Sequence, residues 1–495
     1  MKWILAALLS LSSLLGFAQQ GFVVINGLDS IQNDILVLKL NAAQKRLDRL
    51  KSLHPQNAYL SLLQGRLYFF RAFLPDDAEG YLAIKPELEK AITACEKFEE
   101  TGHLALIAAS ELYLMQAFLS MRYGENMKAA WSGLQAYRKL NTAFERFPEK
   151  PLVRFGYGLL QATVGSLPEN YRIFTKLIGM KGSVDHGIKQ MQSALESQQL
   201  KNNALFYDEF AYMYVLVRFQ LLEDDSQLLA DFGVNSRESA FMMNLEVLLL
   251  NKRGENDKAI TLMMNRPKSE AYSPFPYIDY LCGKALLNKQ DPRSSVYFWQ
   301  FAKSYKGRNH WVSLYRYLWW DAALKNQEEA ANFYYQKAIK LKVVSSSDAM
   351  AKIDLESKMP WPLIKARLYF DGGYDSEALK YLNSSELIKQ CKSLEHFQER
   401  HYRLGRILYR KKRLNDAEEA FIKALQYCKT HSFNCANSHL HLGFVYQEQG
   451  KNTAASEQFK KTLAQKGFPF SEGLHQKART SLEELKLKST VKISD

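Results

Sequence analysis

Apolar residues recur along most of the chain at intervals of three and four, the spacing that gathers them on one face of an α-helix. Two segments near the C-terminus repeat the same offsets, with small residues at equivalent places. The first contains Leu404, Gly405, Leu408, Leu414, Ala417, Phe421 and Ala424, and the second contains Leu442, Gly443, Tyr446, Gly450, Ala455, Phe459 and Leu463. The sequence lacks the sustained alternation of apolar and polar residues that is typical of strands. This pattern predicts helix pairs that repeat along the chain.

The small residues in these segments have a packing role, because two antiparallel helices approach closely only where their side chains are small. Gly405 and Ala417 are predicted at the contact between the two helices of one unit, and Ala424 at the contact with the next unit. Weaker copies of the pattern occur upstream, around Gly65, Gly124, Gly254, Gly283 and Gly373. We therefore predict an all-α fold, an α-α superhelix of the tetratricopeptide-repeat solenoid type, from about residue 31 to about residue 487.

The first residues have the features of an export signal. Lys2 provides a basic start, an apolar run follows over residues 3–15, and Gly16, Phe17 and Ala18 offer a small-x-small cleavage site. This is the three-part pattern of a secretory signal peptide, and the run is shorter than the roughly 20 residues that span a bilayer. We expect no later stretch to span one either. The sequence predicts a cleaved signal peptide at residues 1–18 and a periplasmic or secreted chain, with peripheral association with the cell envelope as a further expectation.

Changes in composition divide the predicted solenoid into regions. Residues 345–362 contain a serine run and a Pro-Trp-Pro element, which predict a loop or hinge. This hinge would separate an N-terminal helical repeat region, 19–344, from C-terminal tetratricopeptide repeats at 363–487. The last residues, 488–495, are predicted to form a frayed tail.

Charge and motif content argue against several classes of function. The 495 residues include 66 lysines and arginines and 52 acidic residues, a net charge of +14. The basic residues are spread along the chain, as on solvated helix faces, and export argues against a nucleic-acid partner. Phosphate loops, dinucleotide fingerprints, nucleophile elbows and His-Glu-x-x-His motifs are missing from the sequence. We therefore predict a protein that is not an enzyme and that needs no cofactor or metal.

Five cysteines are too few for a disulfide scaffold. Cys428 and Cys435 are close enough in sequence to bridge across a turn, which an oxidising compartment permits. Together with His431, His439 and His441 they could instead supply zinc ligands, although their spacing follows no common finger pattern. A third interpretation gives the cluster no special role, so the sequence leaves the disulfide open.

The concave inner face is the predicted binding surface, because the first helix of each pair lines it in this type of repeat. Tyrosine and arginine are good anchors for a peptide backbone or a carboxylate. The residues predicted to face the groove are Tyr402, Arg406, Tyr409 and Arg410 in one unit, and Phe444, Gln447 and Glu448 in the next. The Lys/Asn pattern of the clamp that grips acidic chaperone tails is not matched.

Several stretches resemble the tetratricopeptide repeat protein 39 family. Three of them cover residues 123–140, 155–191 and 310–339. The middle stretch is the most specific, since its Gly-x-Gly start and Leu-Pro midpoint are lacking in generic repeats. The resemblance implies a helical repeat array without known catalytic residues. Members of that family are intracellular, so the predicted export signal indicates an exported, bacterial-type relative.

Taken together, these features predict a non-enzymatic scaffold that binds other proteins or peptide segments along a helical groove. The aromatic residues concentrated at 297–335 are expected mainly to fill helix-pair cores, because their spacing is helical. They also motivate an alternative function, the binding of a lipid or another small amphiphile in a cavity within the repeats.

Overall fold

The computed structural model describes residues 21–167, 180–222, 224–429 and 431–494. Within these ranges the regular structure is helical and strands are absent, which confirms the all-α prediction. The α-helices are α1 Leu28–Leu36, α2 Leu40–Leu53, α3 Ala58–Phe73, α4 Ala78–Glu96, α5 His103–Arg122, α6 Asn126–Arg146, α7 Pro151–Gly165, α8 Val184–Glu196, α9 Gln198–Lys201, α10 Tyr207–Leu222, α11 Ala240–Lys252, α12 Asn256–Met264, α13 Pro276–Asn288, α14 Ser294–Ser304, α15 Trp311–Leu324, α16 Glu328–Lys340, α17 Ser346–Glu356, α18 Trp361–Asp371, α19 Asp375–Leu382, α20 Ser385–Gln390, α21 Leu394–Arg410, α22 Leu414–Gln426, α23 Phe433–Glu448, α24 Asn452–Ala464 and α25 Ser471–Ser494.

Consecutive helices form pairs, and the same turn closes most of them. Two residues after the end of the first helix, the chain takes a positive φ at Leu38, Gly124, Gly254, Gln290, Asn326, Gly373, Lys412 and Gly450. The following amide donates to a carbonyl five residues earlier, as from Arg413 to Leu408 at 3.0 Å. This is the Schellman ending of a helix, and it turns the chain back within a few residues.

Glycines on the first helix let it pack closely against the second. These contacts pair Gly283 with Phe298, Gly405 with Phe421 and Gly443 with Phe459. A Cβ added to each glycine would lie only 2.5 to 2.7 Å from the phenylalanine ring. Ala417, Ala424 and Ala455 are also fully buried. The predicted contacts between small residues and neighbouring helices are therefore confirmed.

The superhelix is wound tightly enough for repeats distant in sequence to touch. The Tyr305 hydroxyl, after α14, donates to the Asp76 carboxylate, in the turn after α3, at 2.6 Å. Further along, the α11–α12 turn meets the α18–α19 turn so closely that Gly254 leaves no room for a Cβ on Gly373. Helix α25 packs against α10. The C-terminal repeats and the middle of the chain therefore face each other across the interior.

The loop or hinge predicted at 345–362 is wrong for most of its length, because α17 occupies Ser346–Glu356. The Ser345 hydroxyl caps this helix by accepting from the Asp348 amide at 3.2 Å. The Asp348 carboxylate accepts from the Ser313 amide on α15 at 3.1 Å, and Leu355 is buried. The serine run that suggested a loop thus contains a helix cap, and the segment is packed against its neighbours.

The predicted frayed tail at 488–495 also differs from the structure, in which α25 continues to Ser494. Glycine and proline, the residues that most often end a helix, do not occur after Gly473. The helix therefore has no local reason to stop near residue 487.

One helix of the described ranges, α5, is long and apolar enough to cross a membrane, contrary to the expectation from sequence. Most of it is buried among other helices, as is common for a core helix. The predicted signal peptide, 1–18, and residues 168–179 of the most specific family-like stretch lie outside the described residues.

Candidate functional site

A cavity of about 640 Å³ lies where the C-terminal repeats face the middle of the chain. Its volume is within the range of small-molecule sites, roughly 300–1,000 Å³. The walls come from the ends of α10, α11 and α18 and from the inner faces of α21, α23 and α25. The site therefore depends on helices whose lining residues are up to 263 residues apart, from Leu221 to Glu484.

Six of the seven residues predicted for the groove line this cavity. They are Arg406, Tyr409, Arg410, Phe444, Gln447 and Glu448. Their common orientation follows from the helix register, since the three residues of each helix are spaced i, i+3 and i+4 and so lie on one face.

Tyr402 is the exception, because it is 3% exposed and does not line the cavity. Its hydroxyl receives hydrogen bonds from Arg406 Nη1 at 2.7 Å and from Asn437 Nδ2 at 2.6 Å. Tyr402 thus positions the Arg406 guanidinium from behind, and its assignment to the groove surface is corrected.

Arg406 is the most distinctive group of the site. It is half-buried, and among the described residues it has no carboxylate partner. Its guanidinium lies 5.5 Å from the centre of the Phe370 ring. Arg410 is different, since it forms an ion pair with Asp375. The Tyr409 hydroxyl donates to Glu448 at 2.5 Å, and Lys412 lies 2.9 Å from the same carboxylate.

Equivalent positions in other repeats show why Arg406 stands out. Lys284, Arg367 and Arg406 each follow the small residue of their repeat. Arg367 is paired with Asp354 at 2.6 Å. The pKa of Lys284 is raised, chiefly by the neighbouring Tyr317 phenol. The cation is thus a recurrent feature of the inner face. At the cavity Arg406 forms no ion pair with a described residue, although Asp225, Glu448 and Glu484 also line the walls.

Two lysines and a histidine also line the cavity near Arg406. Burial, with a contribution from Arg406, lowers the pKa of Lys252 to about 8. Burial lowers the pKa of Lys477 to about 8 as well. The pKa of His441 falls well below its usual value because the ring is buried and lies near Arg406 and Lys252. Its buried Nδ1 has no hydrogen-bond partner among the described residues.

Sequence reasoning missed these three groups as members of one site. In the sequence, His441 stands out only as a member of the cysteine and histidine cluster, and Lys252 and Lys477 have no distinguishing local feature. They lie near Arg406 only because the winding of the superhelix brings the C-terminal repeats against the middle of the chain. No motif or spacing in the sequence predicts that contact.

The cysteine and histidine cluster does not form a metal site in the described part of the chain. Cys428 and Cys435 are joined by a disulfide, with their Cα atoms 5.8 Å apart. His431 accepts from the Lys466 amide at 3.3 Å, and His439 Nδ1 lies 2.8 Å from Gln458 Oε1. Of the three interpretations left open by the sequence, the structure has the disulfide.

The helix pairs, their shared turn and their stacking define the protein as a tetratricopeptide-repeat solenoid. The tetratricopeptide repeat family profile matches residues 398–466, which covers α22, α23, α24 and most of α21. A search of curated protein sequences finds no significant match.

Solved structures of repeat proteins align with most of the chain at low identity. The crystal structure of the APC/C hetero-tetramer Cut9-Hcn1 has 12% identity and a TM-score of 0.29, covering 93% of this chain and 89% of that one. Yeast Tom70 has 15% identity and a TM-score of 0.25, with 92% and 87% covered. The human IFIT1 dimer with PPP-AAAA has 14% identity and a TM-score of 0.28, with 90% and 96% covered.

Proposed function

We propose that this protein is a non-enzymatic scaffold that holds an acidic, partly apolar segment of another protein in the cavity. The observation that carries the proposal is the half-buried Arg406, which has no carboxylate partner among the described residues and lies beside the unpartnered His441 Nδ1. An arginine in a poorly solvated place binds carboxylates strongly, because both charge and planar geometry match.

The electrostatics of the cavity favour an anionic group. Lys252 and His441 both have lowered pKa values, partly because each feels the Arg406 charge. Cations that disfavour one another in this way are stabilised by a bound carboxylate, which restores the charge balance. The same effect would raise the pKa of the lysines when the ligand binds.

The apolar walls favour a ligand that has apolar groups in addition to a negative charge. Leu221, Leu222, Phe370 and Phe444 line the cavity beside the charged groups. Aromatic and arginine side chains together are frequent anchors at protein interfaces. A segment in which acidic and apolar side chains alternate can contact both the charged groups and the apolar walls.

Arg406→Gln is expected to weaken binding of an acidic peptide by about tenfold or more, because a charged hydrogen bond in a desolvated site is lost. The measurement is fluorescence anisotropy with a labelled peptide of alternating glutamate and leucine. Arg413→Gln is the matched control, since Arg413 is exposed and pairs with Asp416 outside the cavity. Peptides with glutamine or lysine in place of glutamate should bind poorly. Equal affinity for the acidic and glutamine peptides would refute the proposal.

Peptide affinity should also fall as pH rises from about 7 to 10. Lys252 and Lys477 have pKa values of about 8 in the free protein, so they are cationic below this pH and lose their charge above it. The carboxylates of the peptide are ionised throughout this range. Titrations at pH 7 and pH 10 should differ clearly, and Lys252→Gln should reduce the difference. An affinity that is independent of pH would exclude these lysines from binding.

The apolar part of the cavity also supports the second candidate, an anionic amphiphile whose acidic head contacts Arg406. Native mass spectrometry of the purified protein distinguishes the two. A bound small amphiphile that is lost in Arg406→Gln would favour this candidate over a protein segment.

We further propose, from the sequence alone, that the chain is exported to the periplasm or outside the cell and associates peripherally with the envelope. The proposed origin is an exported bacterial-type relative of the tetratricopeptide repeat protein 39 family. Residues 1–18 support export through their basic start, apolar run and small-x-small site. Fractionation of cells that express the full chain, with mass determination of the N-terminus, tests cleavage after Ala18.

A further inference from the structure

The outer surface of the middle repeats carries large apolar side chains in contact with solvent. On α14, Val296 is 54% exposed and Trp299 43% exposed, and on α16 Phe333 is 50% exposed. The Trp299 and Tyr334 rings lie 6.2 Å apart, so the exposed faces of the two helices adjoin. Aromatic residues in this part of the chain therefore do more than fill the core.

The helical register explains which residues are outside. Phe298 and Phe301 of α14 are fully buried, and so is Ala338 of α16. The opposite face of α14 places Val296, Trp299 and Lys303 in line. The opposite face of α16 does the same with Phe333, Lys337 and Lys340.

The charge around these apolar groups is mostly positive. Residues 292–308 and 330–347 contain seven lysines and arginines and no aspartate or glutamate. The exposed carboxylate of Glu329 lies one turn before Phe333 on α16. Lys303, Lys337 and Lys340 form no ion pair with any described residue. The Lys337 ammonium lies 5.6 Å from the centre of the Phe333 ring. An exposed tryptophan elsewhere is different, because Lys128 beside Trp131 is paired with Glu89.

We propose that this outer surface, formed by Val296, Trp299, Lys303, Phe333, Lys337 and Lys340, docks the protein on an anionic lipid bilayer. Tryptophan and phenylalanine partition into the headgroup region, and lysines beside them are attracted to acidic headgroups. The surface has three lysines, which outnumber Glu329, the carboxylate one turn before Phe333 on α16. It gives the proposed envelope association a site and is independent of the cavity.

The test is co-sedimentation of the full chain with vesicles of phosphatidylglycerol and phosphatidylcholine in equal parts, and with phosphatidylcholine alone. The unaltered protein should bind the anionic vesicles and bind the neutral ones weakly. Lys337→Gln with Lys340→Gln should lower the partition coefficient on anionic vesicles by roughly thirtyfold. Trp299→Ala with Phe333→Ala should lower it by at least about tenfold.

Matched controls separate this surface from general charge and from the cavity. Lys45→Gln with Arg49→Gln removes two exposed cations on α2, and Trp131→Ala removes an exposed tryptophan. Both control variants should leave vesicle binding nearly unchanged. Arg406→Gln should weaken peptide binding by about tenfold or more and retain vesicle binding. The proposal is overturned if the unaltered protein does not bind anionic vesicles or if the controls lose as much vesicle binding as the surface variants. It is also overturned if Arg406→Gln alone abolishes vesicle binding.

Discussion

Gly443→Ala is expected to destabilise the C-terminal repeats by about 2 kcal/mol, although alanine is ordinarily the better helix former. The added Cβ would lie 2.5 Å from Phe459, a ring that is fully buried and has no free space to enter. Helix α23 would have to move away from α24, and the contacts of both with neighbouring repeats would loosen. Gly133→Ala should have the opposite sign, a gain of about 0.5–1 kcal/mol, because nothing lies within 4 Å of that Cβ.

Thermal unfolding followed by circular dichroism measures whether each variant is less or more stable than the unaltered protein. Hydrogen exchange shows which helices lose stability. Amides of α23 and α24 should exchange faster in Gly443→Ala, while those of α5 and α6 keep their rates. If both alanine variants were stabilised alike, the glycine–phenylalanine contact would not be what holds the helices of a pair together.

Arg66→Met should destabilise the N-terminal repeats by about 3–5 kcal/mol, the larger of the two effects. Arg66 is 1% exposed and lies 2.5 Å from Glu111 and 3.1 Å from Glu209. Its Nη1 also donates to the Leu205 carbonyl at 2.7 Å. Removing it leaves two largely buried carboxylates without their cation. Burial, with the nearby Glu111, already raises the pKa of Glu209 to about 7, even with Arg66 present.

The dependence on pH and a compensating variant test this explanation. The loss of stability in Arg66→Met should be greatest near pH 8 and smaller near pH 5, because protonation of Glu111 and Glu209 removes the uncompensated negative charges. Adding Glu111→Gln and Glu209→Gln to Arg66→Met should recover most of the stability. Arg46→Met, which removes a cation that is 58% exposed and pairs with Asp34, should cost less than about 1 kcal/mol. A similar loss in both arginine variants would show that burial of the charge is not the cause.

The repeat and its packing could be predicted from the sequence because they depend on nearby residues. A glycine on the first helix and a phenylalanine fifteen or sixteen positions later meet across such a pair, as Gly405 and Phe421 do. The turns were harder to find. Only half of the eight left-handed turn positions hold glycine, and residues such as Leu38 and Gln290 adopt the same φ without that marker. The tertiary contacts of the helices impose the turn there.

The side chains that α21 and α23 direct to the inner face could be predicted for the same reason. Once Gly405 and Gly443 fix the register, Arg406 and Phe444 must point inward. The sequence could not show that Tyr402 is covered by Asn437, since that requires the distance between α21 and α23. Nor could it show that the serine run before α17 is a helix cap.

By itself, the sequence determined the helix pairs, the small residues at their contacts and the identity of the side chains that α21 and α23 present to the interior. Only the tertiary structure decided that these side chains share a cavity with Lys252 and Lys477. The physical reason is that most contacts of a repeat are with its neighbours, so its sequence records local packing. The closure of the superhelix is the sum of small rotations over many repeats, and no single repeat encodes that sum.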